Sequence, residues 1–120
     1  MLIKNYYSIE SIKEEEGIFY YDVILNSDCD VYKGHFPGEP ISPGVCNIQM
    51  IKECAEHAAG KSLTISNVLQ CRFINLVTPL KVNKATVRIK LDCAENKTIL
   101  SSSLYDAETE YMSLKAELIS

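Results

Sequence analysis

Three prolines fall within seven residues, Pro37, Pro40 and Pro43, and the only long run of helical periodicity follows directly behind them. Proline has no N–H and a fixed φ, so this stretch forms neither helix nor central strand. Ser42, Pro43 and Gly44 together read as a helix start, with serine as N-cap and proline at the first helical position. Gly44, Ile48, Ile51, Ala55 and Ala58 then recur at helical spacing, flanked by Val45 and Cys54. Lys52, Glu53 and Glu56 lie on the other side. Gly60 stops the helix after about four turns. A chain of 120 residues with one such helix must build the rest of its core from strands.

The strands are legible on either side. Tyr6 to Lys13 alternates loosely, Glu14 to Gly17 breaks the pattern, and Ile18 to Leu25 is rich in aromatic and β-branched residues, which reads as a hairpin. Ser66 to Val77 reads as a strand ended by Pro79. Ala85, Val87, Ile89 and Leu91 alternate with Lys84, Thr86, Arg88 and Lys90, and Met112 to Leu118 alternates in the same way. Thr98 to Tyr105 lies between them. The expected order is a hairpin, one helix, then a meander of about four antiparallel strands, in one α+β domain spanning residues 1–120. One helix cannot cover both faces of such a sheet. An edge and the outer face are therefore expected to take a partner, and dimerisation follows.

Charge and composition exclude several functions. The net charge is −4 and the pI about 5.1, which argues against a nucleic-acid partner. No stretch approaches the roughly 18 residues a membrane helix needs. The start, Met1 to Tyr7, lacks the basic and apolar segments of a signal peptide, so a cytoplasmic location is expected. Five cysteines, Cys29, Cys46, Cys54, Cys71 and Cys93, are an odd set at irregular spacing with no Cys-x-x-Cys pair. They read as buried reduced thiols, with a Cys46 nucleophile as the alternative. Neither His35 nor His57 sits at zinc-ligand spacing to a cysteine, and no metal is expected. His57, late in the helix, reads as a favourable dipole contact.

Residues 34–49 carry the chemistry: Gly-His-Phe-Pro-Gly-Glu-Pro-Ile-Ser-Pro-Gly-Val-Cys-Asn-Ile-Gln. His35 sits on a proline-stiffened loop, so its imidazole is held with little backbone entropy left to lose. The loop runs into a helix whose first N–H groups are free and whose dipole end is positive. Gly44 has no side chain, so its N–H can approach a ligand oxygen closely. A base beside an N–H donor aimed at a carbonyl is what removal of a proton α to a thioester requires.

The segment Gly34-His35-Phe36-Pro37-Gly38-x-Pro40-x-x-Pro43-Gly44-Val45 is similar to the signature of the β-hydroxyacyl-acyl-carrier-protein dehydratases (FabZ-type) of fatty acid synthesis. Cys71-Arg72-Phe73 to Pro79 resembles that family's Arg-Phe…Pro segment, and the likeness runs from about Tyr6 to Leu118. It implies a hotdog fold, in which an antiparallel sheet wraps one long central helix. It also implies a dimer, or a higher dimer-based oligomer, with sites at its interface. The substrate would be an acyl chain carried on the phosphopantetheine of acyl carrier protein, with no further cofactor. His35 would act on the α-proton, and the Gly44 N–H would polarise the thioester carbonyl. Phe36, Pro43, Val45, Asn47 and Arg72 would line the substrate path, although for Asn47 a satisfied core amide is the commoner explanation.

The family's second catalytic residue is an acid four positions after the Val of Pro-Gly-Val, supplied by the partner's helix. Here that position is Gln49, and a carboxamide cannot deliver a proton. Glu53, one turn on, is a candidate replacement, displaced by about 6 Å along the axis. Lys33, Arg72 and Lys81 are candidates for meeting the acidic carrier protein. The resemblance thus implies dehydration of 3-hydroxyacyl thioesters to trans-2-enoyl thioesters, in fatty acid or polyketide-like biosynthesis. The rival readings are a non-catalytic acyl-carrier-binding or heterodimer subunit, and a hotdog thioesterase.

Overall fold

The computed structural model describes residues 6–26, 44–75, 77, 83–93, 97–107 and 109–120. Six strands and one helix follow in the order β1 (Tyr7–Glu15), β2 (Ile18–Leu25), α1 (Gly44–Ala59), β3 (Thr64–Phe73), β4 (Lys84–Cys93), β5 (Thr98–Tyr105) and β6 (Glu110–Ile119). The strands form one antiparallel sheet, β1-β2-β4-β5-β6-β3, and α1 lies against β4 and β5 in its middle. This is the hotdog arrangement. No helix among the described residues is long and apolar enough to cross a membrane.

Local chemistry sets the boundaries. Glu16 and Gly17 connect β1 to β2 with φ values of 53° and 81°. Two successive positive φ angles twist a two-residue loop in the sense of the strands it joins, and the glycine meets that demand without strain. The helix ends at Gly60, φ 72°. The Gly60 N–H bonds back to His57 O at 3.3 Å, and the Lys61 N–H to Glu56 O at 3.3 Å, which closes the last turn in a Schellman motif.

Register lines up the core in rows across the sheet. Tyr21, Val87, Leu104 and Met112 are successive cross-strand partners, and so are Phe19, Ile89, Ser102 and Leu114. All but Phe19 are buried, and Phe19 packs against the core from its margin. The opposite face carries Tyr20, Arg88, Ser103 and Ser113 in the corresponding row, so that face is polar.

Three expectations need correction. The four later strands are not one meander: β4, β5 and β6 are, but β3 crosses to the far edge and pairs with β6. It spans Thr64–Phe73 rather than 66–77. Two bulges, between Ile65 and Asn67 and between Val68 and Gln70, interrupt its alternation. Each adds a residue, so Ile65, Val68 and Cys71, spaced by three, oppose Leu118, Ala116 and Leu114 on one face. The buried side of α1 is also different. Cys46, Asn47, Met50, Ile51, Cys54 and Ala55 are buried, whereas Gly44, Ile48 and Ala58 are half-buried, because burial follows the side that meets β4 and β5. Finally, on the outer face the central rows are polar, and the exposed large apolar residues among the described ones lie on the edge strands β1 and β3, at Ile74 just beyond β3 and at Ile119 at the end of β6.

The two edges contrast. β1 is guarded by Glu10, Lys13, Glu14 and Glu15, although Ile9 and Ile12 are exposed. β3 exposes Val68, Leu69 and Phe73 with Ile74 just beyond, and its only charge is Arg72.

Just before β1, Tyr6 is buried and donates its hydroxyl to Asn47 Oδ1 at 2.6 Å, pinning the strand to the buried side of α1. Tyr6→Phe is expected to cost about 1–3 kcal/mol in denaturant unfolding, because a buried amide oxygen loses its donor.

Candidate active site

α1 opens with no acidic residue in its first turn. The positive end of its dipole is therefore uncompensated by the helix's own side chains, which suits a developing negative charge. Gly44 is packed beneath Phe73. A Cβ at position 44 would lie 2.7 and 2.8 Å from two ring carbons of Phe73, closer than carbon atoms approach. Phe73 comes from β3, opposite Met112, and its ring is 60% exposed, so it forms an apolar flap over the helix start rather than a core residue. Nothing in the sequence signalled this contact, since the two residues lie on elements whose approach only the fold determines. Arg72, the preceding strand residue, points to the opposite, outer face and is exposed.

Gln49 and Glu53 are joined. Gln49 Nε2 donates to Glu53 Oε2 at 3.0 Å, and the Tyr7 hydroxyl donates to Glu53 Oε1 at 2.8 Å. Both carboxylate oxygens of Glu53 thus accept a hydrogen bond, one from the helix itself at i,i+4 spacing and one from β1. Burial, then the bond to Glu53, pushes the Tyr7 hydroxyl far above its ordinary range, so it remains a donor. The carboxylate of Glu53 serves in this arrangement to orient a carboxamide and a phenol. Tyr7 is a site neighbour that sequence reasoning missed, because 46 residues separate it from Glu53.

Asn47 lies on the buried side of α1 with its oxygen bonded to Tyr6. His57 has Nδ1 2.8 Å from the Tyr21 hydroxyl, with the rings edge-on at 5.5 Å between centres. Burial pushes the Tyr21 hydroxyl up to about 12. His57 follows Gly44 by 13 residues, about 20 Å along the axis, and so lies at the other end of the helix. The cysteines divide. Cys46 and Cys54 are buried, whereas Cys71 is half-buried and Cys93 exposed, so the expectation of uniformly buried thiols is too broad. Burial and then the charge of Glu53 push the Cys54 thiol up to about 12, which keeps it protonated and unreactive. No three His, Cys, Asp or Glu side chains among the described residues cluster to hold a metal.

His35, Phe36 and Pro43 lie outside the described residues, as do Cys29, Lys33, Lys81 and the side chain of Val45. What the fold brings together from the expected set is the helix start at Gly44, with Phe73 above it, and the Gln49–Glu53–Tyr7 chain on another side of the same helix.

Known proteins share this architecture. A chain of the structure described as the dehydratase heterocomplex ApeI:P from Xenorhabdus doucetiae superposes with a TM-score of 0.76 at 18% identity, covering 94% of this chain and 97% of that one. An uncharacterised protein from Erwinia carotovora gives a TM-score of 0.65 at 19% identity, with 92% and 91% covered. A thioesterase from Haemophilus influenzae gives 0.69 at 10% identity, with 98% and 80% covered. At such identities these likenesses establish the fold. No curated protein sequence matches the chain. The sequence model of the ApeI dehydratases matches residues 11–115, nearly the whole length, from the middle of β1 to the middle of β6. The chain is a member of the ApeI-like dehydratase family.

Proposed function

We propose that this protein dehydrates 3-hydroxyacyl thioesters carried on acyl carrier protein, by FabZ-type chemistry, as a cytoplasmic dimer. The observation that carries the reading is the helix start: Gly44 opens a helix with no acid in its first turn, under the apolar ring of Phe73. A thioester carbonyl laid against that turn meets N–H donors and a positive dipole end. His35 removes the α-proton, and the negative charge that develops on the carbonyl oxygen is held by the Gly44 N–H. The Cβ–O bond then breaks with its electron pair going to oxygen. The imidazolium returns its proton to that oxygen, so water leaves and an enoyl thioester remains. Gln49 contributes a hydrogen bond and no proton.

Two copies are needed for both groups to meet one substrate. Five residues of helix separate Gly44 from Gln49, which turns them about 140° apart and 7.5 Å along the axis. One protomer therefore presents them in different directions. The edge strand β3, with its exposed Val68, Leu69 and Phe73, is the surface on which a second copy would pair and bring its own Gln49 to this helix start.

A second reading is favoured by Gln49 itself. A subunit without an acid at that position can serve as the binding half of a heterodimer, and one structural neighbour is described as a dehydratase heterocomplex. A thioesterase reading gains only the shared fold. One assay separates the three. Purified protein mixed with a 3-hydroxyacyl thioester is expected to develop enoyl absorbance without release of free thiol. Thiol release would identify a hydrolase, and silence in both channels would identify the heterodimer subunit.

A further inference from the structure

The outer face of the sheet carries a band of positive charge that the net charge of −4 conceals. Register places Lys13, Tyr20, Arg88, Ser103, Ser113 and Arg72 in one row across all six strands. The next row holds Glu15, Ile18, Lys90, Ser101, Lys115 and Gln70. The two rows are two residues apart on every strand and so share a face. Five cations therefore lie among twelve adjacent positions, with one acid, Glu15, at the far end. In the whole chain acids outnumber cations by 16 to 12. None of the five cations forms an ion pair among the described residues; Lys52, Lys84 and Lys97 are the ones that do. Acids resume only in the flanking rows, with Asp22 and Glu110 on one side and Asp92 and Glu117 on the other. Of these, Asp22 already accepts from Ser11 and Thr86, and Glu117 is paired with Lys97.

The shape of the band matters as much as its sign. Six strands at about 4.8 Å spacing make it some 24 Å long, the length of a helix of about 16 residues. Its small side chains, Ser101, Ser103 and Ser113, leave a low floor between the cations. It ends on β3 at Arg72, next in sequence to the Phe73 that covers the helix start.

We propose that this band is the docking surface for an acidic helix of the carrier protein, seated across the strands, with its substrate-bearing end toward β3. The proposal rests on the functional reading above for the identity of the partner, and on the charge pattern alone for the place. Like charges held this close repel one another, and an acidic partner relieves that repulsion while steering association.

The test uses the apo form of an acyl carrier protein, without pantetheine or acyl group, so that no active-site contact contributes. Lys90→Glu/Lys115→Glu reverses the two exposed lysines that flank Ser101. Binding to the wild type is expected to weaken steeply as salt rises through about 0.1 M, and the double variant to bind about tenfold or more weaker at low salt. Its thermal midpoint and its turnover of a small 3-hydroxyacyl N-acetylcysteamine thioester are expected to match wild type. Equal affinity of variant and wild type, or binding insensitive to salt, would overturn the proposal. So would loss of a homo-oligomer in the variant, which would make the band an interface between copies, or preferential binding of duplex DNA. If the wild type binds the apo carrier but turns over no small thioester, the dehydratase reading fails while the docking surface stands.

Discussion

His35→Ala is expected to lower dehydration by about 10²–10⁴-fold, the usual worth of a positioned proton-transfer group. In the mechanism above the imidazole acts twice, taking the α-proton and returning it to the departing hydroxyl, and no carboxylic acid stands at position 49 to take over the second step. The expected loss is therefore at the upper end of that range. The residual rate is expected to come from the N–H groups at the helix start, which in the proposed mechanism still polarise the carbonyl in the variant. The wild-type rate is expected to fall as pH is lowered, because the protonated imidazole cannot act as a base, and His35→Ala is expected to lose that limb of the profile. Enoyl absorbance read across pH for both proteins, with circular dichroism to show equal folding, decides the matter. A variant that keeps the wild-type rate would remove His35 from the chemistry and leave the helix start as a binding feature only.

The sequence makes the frame of this site visible, and the reasons are particular. Alternation in Lys84–Leu91 and Met112–Leu118 marks β4 and β6 because each has one wet and one dry face, and period two survives wherever no residue is inserted. The helix is announced by the proline-rich approach and closed by Gly60. β3 is misread for a physical reason: Ile65, Val68 and Cys71, which oppose the buried Leu118, Ala116 and Leu114, are three apart, and only the bulges that put them on one face make sense of that spacing. The buried face of α1 is set by the side that meets β4 and β5, which helical spacing alone does not show, and the Tyr6 hydroxyl that satisfies the buried Asn47 comes from 41 residues away. The same limit governs the site. The Gln49–Glu53 contact is implicit in i,i+4 spacing, whereas Tyr7 on Glu53 and Phe73 over Gly44 are contacts between elements that register and crossover bring together.

The wiring of Gln49 gives a second result with a large expected effect. In Gln49→Glu the new carboxyl replaces an amide that lies 3.0 Å from Glu53 Oε2. Two carboxylates cannot both ionise at that distance, so the pair retains a proton to a higher pH than an isolated glutamic acid does. That proton is a general acid in the place where the resemblance to FabZ-type dehydratases implies one, and dehydration is expected to rise by about 10²-fold or more, with a new descending limb at alkaline pH as the pair loses it. Stability should move the other way. A carboxyl whose folded-state affinity for protons is raised leaves the fold undisturbed below its unfolded value of about 4.3, and destabilises it as pH rises through the folded value. The variant is therefore expected to match wild type in acid and to unfold more easily at neutral pH, losing about 1–3 kcal/mol. Gln49→Glu/Glu53→Gln is the control, because it restores one amide and one carboxylate in reversed order. It is expected to regain the stability and to lose most of the added rate at neutral pH, since a carboxylate bonded by an amide holds no proton there. If both variants dehydrate at the wild-type rate across pH, position 49 does not face the substrate, and the two-protomer site built on it is wrong.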